Sequence, residues 1–153
     1  MARYGAAFSV SGTNTANTFV VNLANTGTAV RLRVQQIAVG IAVAPTTAPS
    51  FYLSRSTARG TNTTTLAGQP FDTGEPTAQG TLDLTNSVAP TFSTTLKLAG
   101  GGLAVTAGGW WIWDFRDSPI VVPATAASGL AIVNANASGA TTGTFAGYMT
   151  WEE

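Results

Sequence analysis

The chain has no cysteine and no histidine, and only 9% of its 153 residues are charged. Without cysteine there can be no disulfide, no thiolate metal site and no thiol nucleophile. Without histidine there is no imidazole ligand, no Ser-His-Asp or Cys-His catalysis and no histidine pH switch. About a quarter of a soluble domain is usually charged. Here seven basic and seven acidic residues cancel to zero, and nothing resembles the basic surface that nucleic-acid binding needs. No run of 18 apolar residues is present, so no membrane-spanning helix is expected. Met1-Ala2-Arg3-Tyr4-Gly5 carries no apolar signal core. The composition is that of an extracellular β protein, yet no secretion signal is present. A virion component made in the host cytoplasm and released by lysis fits both, as does a domain excised from a longer secreted protein. The starting Met and the Trp151-Glu152-Glu153 ending are expected to count against excision.

Thr, Ser, Asn, Gly, Val and aromatic residues dominate what remains. The densest apolar stretch is Trp110-Trp111-Ile112-Trp113-Asp114-Phe115. Side chains alternate in an extended strand, so Trp111, Trp113 and Phe115 share one face and Trp110 and Ile112 the other. A buried aromatic of this size removes about 150–250 Å² from water, an upper bound of about 4–6 kcal/mol each. The stretch therefore reads as a central strand with Trp111, Trp113 and Phe115 in the core. Trp110 and Ile112 then need a second cover, another layer or another subunit, or they serve as a stacking platform for a sugar or base.

No window has a helical apolar period, and the chain reads as a single all-β domain over 1–153. Tyr4, Ala6, Phe8 and Val10 predict a first strand, and Ser11 to Asn17 a turn. Phe19, Val21 and Leu23 predict a second strand. In the run from Ala29 to Ala44, Val30, Leu32 and Val34 share one parity, whereas Ile37, Val39, Ile41 and Val43 share the other. Both sets can face inward only with an extra residue, so a β-bulge is expected near Gln35-Gln36. Arg31 and Arg33 lie opposite the first set, on a solvated face or in a contact to a neighbouring subunit. Ser50–Ser56 is a strand, and Thr57–Pro90 reads as a long irregular stretch holding Leu66, Phe71, Leu82 and Leu84 at wide spacing, either a solvated loop with a short strand near Leu82-Leu84 or an arm that contacts a neighbour. Loops of that length are usually functional or disordered. Strands are then expected at 92–98, broken by Gly100-Gly101-Gly102, at 109–116, at 120–123, at 130–135 and at the end. There Phe145, Met149 and Trp151 share a face with Tyr148 opposite, and 136–143 reads as a small-residue turn. Eight or nine strands with frequent turns predict a jelly-roll-like antiparallel β-sandwich.

Few groups could carry chemistry. Asp114 and Asp117 flank Arg116. A glycosidase needs one carboxyl with a raised pKa, but a neighbouring guanidinium lowers it, so an ion pair or turn cap is the expected role. Asp72, Glu75 and Asp83 lack the close oxygen spacing of a calcium loop. Asn62-Thr63-Thr64 and Asn136-Ala137-Ser138 match the glycosylation triplet, which arises readily by chance in such a composition. These readings include no catalytic residue, no metal and no cofactor.

From residue 109 onward the order of motifs becomes specific: Trp113-Asp114-Phe115, then Ile120-Val121-Val122-Pro123, then Trp151-Glu152-Glu153. They follow Tyr4-Gly5-Ala6-Ala7-Phe8 and Arg31-Leu32-Arg33-Val34 with Val39-Gly40. This series resembles a group of small structural proteins of tailed phages, over most of the chain except 57–90. The resemblance implies a β-sandwich virion protein without enzymatic activity, of the capsid decoration or cement type. A decoration protein implies the major capsid protein as partner and self-association as a homotrimer, while the charge balance and the lack of a long apolar run lead us to expect neither nucleic acid nor membrane as partner. A tail or fibre component, or a glycan-binding adhesin-like module, is the alternative. The residues expected at interfaces are Trp110, Ile112, Arg31, Arg33, Leu66 and Phe71.

Overall fold

A computed structural model describes residues 1–14, 19–135 and 141–153, with the side chains of 12–14 and 141 excepted. The described chain is all strand and connection. No helix is long and apolar enough to cross a membrane. The strands are β1 (Arg3–Asn14), β2 (Phe19–Asn25), β3 (Leu32–Val43), β4 (Ser50–Ala58), β5 (Thr61–Ala67), β6 (Gln69–Pro70) and β7 (Gly80–Val88). They continue with β8 (Thr91–Phe92), β9 (Ala99–Gly102), β10 (Trp110–Asp114), β11 (Ile120–Val122), β12 (Gly129–Asn134) and β13 (Thr141–Glu152).

Two antiparallel sheets pack face to face as a β-sandwich. The first has the order β10-β3-β13-β1-β6, with β11 also on β3. The second has the order β5-β7-β2-β12-β4-β8, with β9 also on β4. Alternation along each strand supplies the shared core. Tyr4, Phe8, Ile37, Val39, Phe145, Met149 and Trp151 come from the first sheet, and Val21, Leu23, Leu53, Leu82, Leu130 and Ile132 from the second.

The expected bulge is present. Thr150 pairs with Gln36 but Trp151 pairs with Val34, which leaves Gln35 unmatched. Leu32, Val34, Ile37, Val39 and Ile41 are therefore all buried although they differ in parity. Phe145, Met149 and Trp151 face inward as expected, with Tyr148 opposite.

Several expectations are corrected. Thr57–Pro90 is not an irregular loop: β5, β6 and β7 occupy most of it. Its Thr- and Asn-rich first strand was hard to see because β5 lies at a sheet edge and is exposed along nearly its whole length, without apolar alternation. Residues 11–14 continue β1 rather than turning, paired with Thr141–Thr144 of β13. The 92–98 strand is two short strands around an irregular segment, and Gly100-Gly101-Gly102 lies within β9 instead of breaking a strand. The turn expected over 136–143 falls largely outside the described residues.

The hub of the packing is Trp151, not the Trp110–Trp113 run. Its indole is fully buried, stacks on Tyr4 at 6.3 Å between ring centroids, and donates from Nε1 to Glu153 at 2.9 Å. A Cβ at Gly68 or Gly80 would come within 2.4 or 2.7 Å of that ring, so both positions require glycine for the close approach. Glu153 also accepts the backbone N–H groups of Gln79 and Gly80. The last residues of the chain thus fasten the turn that links β6 to β7.

The second sheet is covered on its outer side too. Tyr52, Ala131 and Val133 form a small second cluster there, with Phe19 and Phe92 against it. Beside it, buried Asp83 receives Arg59 at 2.6 and 2.9 Å and Asn22 at 3.4 Å, and Ser56 donates to Asn22.

Candidate interaction surface

Among the described residues the β10 side of the first sheet's outer face has no such cluster over it. β10 is its edge strand, paired among the described residues only with β3, with Trp110 opposite Gly40, Ile112 opposite Ala38 and Asp114 opposite Gln36. Trp110 is 53% exposed and Ile112 55%. The rows continue across the sheet through Ala146 and Tyr148 of β13 to Ser9 and Ala7 of β1. Gly40, Ala146 and Ser9 thus floor the face beside Trp110, while the Ile112 row passes over Ala38 to Tyr148, whose hydroxyl donates to Gln36. Gly40 is required there: a Cβ would lie 2.6 Å from Cδ2 of Trp110, so the indole rests flat on the backbone of β3.

Trp111 and Trp113 do share the inward side, 6.5 Å apart, but only Trp113 is buried. Trp111 is 38% exposed and Phe115 is half-buried against the core. The expected central strand is an edge strand, so its inward side chains overhang the rim of the sandwich. The Trp111 indole closes that rim by covering Gly101 of β9, where a Cβ would lie 2.3 Å away. Trp110, Trp111 and Ile112 together form an exposed apolar edge.

The other residues expected at interfaces lie apart. Arg31 and Arg33 are exposed at the start of β3, Arg33 opposite Val121 and Glu152. Leu66 sits on β5 opposite Leu82, packed against the core. Phe71 is 66% exposed at the far edge of the first sheet, after β6. The structure therefore brings Trp110 and Ile112 together and separates them from Leu66 and Phe71.

The carboxylates are engaged structurally. Arg116 donates to both oxygens of Asp114 at 2.9 Å, and its backbone N–H caps the same side chain. These bonds hold the Asp114 carboxyl below the usual range, the opposite of what a general acid needs. Asp83 is buried on β7, whereas Asp72 and Glu75 are exposed in the turn after β6, so the three do not converge. Among the described residues no group of three or more Asp or Glu could hold a metal. Asn62 lies on β5, and Asn136 is outside the described residues.

Sequence reading missed two features. One is the anchoring role of Glu153. The other is an apolar groove of about 510 Å³ at the β4 edge, lined by Arg55, Thr57, Ser93, Leu96, Lys97 and Leu98. Lys97 is the chain's single lysine, and alternating Leu96 and Leu98 around it could have signalled a site rather than a core strand. Comparison with protein-family models, with curated proteins and with solved structures returned no match to this chain.

Proposed function

We propose that this chain is a virion structural protein, a capsid decoration or cement protein that docks on the outside of the capsid lattice and reinforces it. It acts without catalysis, by surface burial repeated over many copies, and associates with itself as a homotrimer. The observation that carries the reading is the apolar edge of β10. Trp110 and Ile112 stand more than half exposed on a rigid sheet, and contiguous exposed apolar surface usually marks an interaction site. Aromatic side chains are the commonest anchors of protein interfaces.

The neighbours of Trp110 favour a protein partner over a glycan. Across the strands it meets Gly40 and then Ala146, neither of which has a side-chain hydrogen-bonding group. A sugar site needs polar groups converging beside the stacking ring.

Quantitative mass spectrometry of purified virions tests the location. Hundreds of copies per particle are expected, whereas a few copies would assign the protein to the tail. Trp110→Ala with Ile112→Ser should abolish capsid occupancy while the isolated protein stays folded. Full occupancy by that variant would overturn the role given to β10.

A further inference from the structure

We infer that the copies join head to tail, the acidic turn over 71–76 of one copy seated in the Leu96–Leu98 groove of the next. This deepens the self-association part of the proposed function and is independent of the capsid part.

The net charge is zero, but the charges are not evenly paired. Arg3, Arg59 and Arg116 have carboxylate partners. Arg55 instead donates to the backbone carbonyl of Val121, and Lys97 stands 4.6 Å over the Tyr52 ring. Both line the groove, and no carboxylate does. Leu96 is 75% and Leu98 45% exposed, so the groove offers apolar walls between two cations.

The complement lies on the opposite edge of the sandwich. The turn from Phe71 to Pro76 leaves β6, the last strand of the first sheet, and leads to β7 beside the edge of the second. It is exposed throughout and carries Asp72 and Glu75 but no cation. At its head Phe71 presents an exposed ring. One edge is thus apolar and acidic, the other apolar and basic, and the two cannot meet within one copy.

Both surfaces are held in shape before any contact. Phe71 N–H bonds the Arg3 carbonyl at 2.9 Å, the Tyr4 hydroxyl bonds the Pro76 carbonyl at 2.9 Å, and Asp72 caps Gly74. Across the molecule Leu98 N–H bonds the Leu53 carbonyl, the Ser54 hydroxyl bonds the Ser93 carbonyl, and Ser93 caps Leu96. Preordered surfaces lose less entropy on association. A contact between two different patches of one chain is heterologous, and identical heterologous contacts form a ring when the rotation between copies closes and an open filament when it does not.

The test is a charge swap read by sedimentation velocity on the isolated protein, with near-ultraviolet circular dichroism to confirm folding. Glu75 and Lys97 are chosen because neither forms an ion pair among the described residues. Wild type should associate at tens of micromolar, more weakly as salt rises from about 0.05 M to about 0.5 M. Glu75→Lys alone and Lys97→Glu alone should each raise the dissociation constant about tenfold or more. The double variant Glu75→Lys/Lys97→Glu should recover to within about threefold of wild type, since the reversed pair attracts again. A monomeric wild type would overturn both this contact and the proposed homotrimer. An oligomer indifferent to both single variants, or a double variant no better than the singles, would overturn this contact alone and leave self-association standing on another surface. Neither result bears on capsid occupancy, which is read from virions.

Discussion

At the scale of single residues, exposure separates four tryptophans that look alike in the sequence. Trp151 is fully buried and Trp113 nearly so, whereas Trp110 and Trp111 reach solvent. Trp151→Ala should therefore cost about 3–5 kcal/mol in urea unfolding. Trp110→Ala should stay within about 0.5 kcal/mol of wild type, as exposed substitutions usually do. Equal losses for both would reverse the assignment of core and surface. Arg59 and Asp83 offer a second residue-scale case. Arg59→Met strands a fully buried carboxylate and should cost about 3–5 kcal/mol. Adding Asp83→Leu should restore part of that loss, because an apolar pair leaves no uncompensated charge. If the double variant is less stable than Arg59→Met, the carboxylate earns its place through Asn22 rather than Arg59.

At the scale of elements, the bulge at Gln35 decides which side of β3 faces the core. Deleting Gln35 would place Leu32 and Val34 on the parity of Ile37 and Val39, so that one regular strand keeps all of them inward and pairs with β13 without a shift. We expect that deletion to keep a single cooperative transition in a thermal scan, at a lower midpoint because the Phe115 N–H loses its bond to the Gln35 carbonyl. Loss of the transition would show that the bulge sets more than which side chains face the core. The bulge was legible in the sequence because both apolar parities of one long run are written in Val and Ile. The strands β1, β3, β4, β12 and β13 were legible for the same reason: each carries several apolar residues at every second position. β5 was not, since Thr61–Ala67 is almost wholly exposed and alternates nothing, and of β7 only Leu82 and Leu84 marked a short strand. The Trp run misled by its density. Hydrophobic alternation says which side chains share a face, and it is silent on whether a strand has one neighbour or two. The two apolar residues left facing solvent were legible in kind, but the groove around Lys97 came only from the path of 93–98 over β4.

At the scale of the whole molecule, two tyrosines report on the two apolar clusters. Burial raises the pKa of Tyr4, with Glu153 and Glu75 adding to it, and burial likewise raises that of Tyr52. A raised folded-state pKa means the folded form holds its proton more tightly than the unfolded one. The associated stability is fully present below the ordinary tyrosine value of about 10 and is lost as pH rises through the raised value. Unfolding measured over a pH series should therefore show a steep decline above about pH 10. Tyr4→Phe should make that decline shallower, while lowering stability at neutral pH through loss of the bond to Pro76. An unchanged alkaline slope would show that Tyr4 ionises as freely folded as unfolded.

The pairing of β1 with β13 has a mechanical side. Arg3 pairs with Glu152, Ala2 and Glu153 exchange backbone bonds in both directions, and the ladder runs from there to Asn14 and Thr141. Both ends of the chain leave from the same corner of the sandwich. A force pulling those ends apart would load the ladder one bond at a time, like a zipper opened from its tab. A force across the sheet face, through Trp110 or the turn after β6, would load many strands at once. The same fold is thus weak when tugged by its tails and strong when squeezed or sheared through its sides.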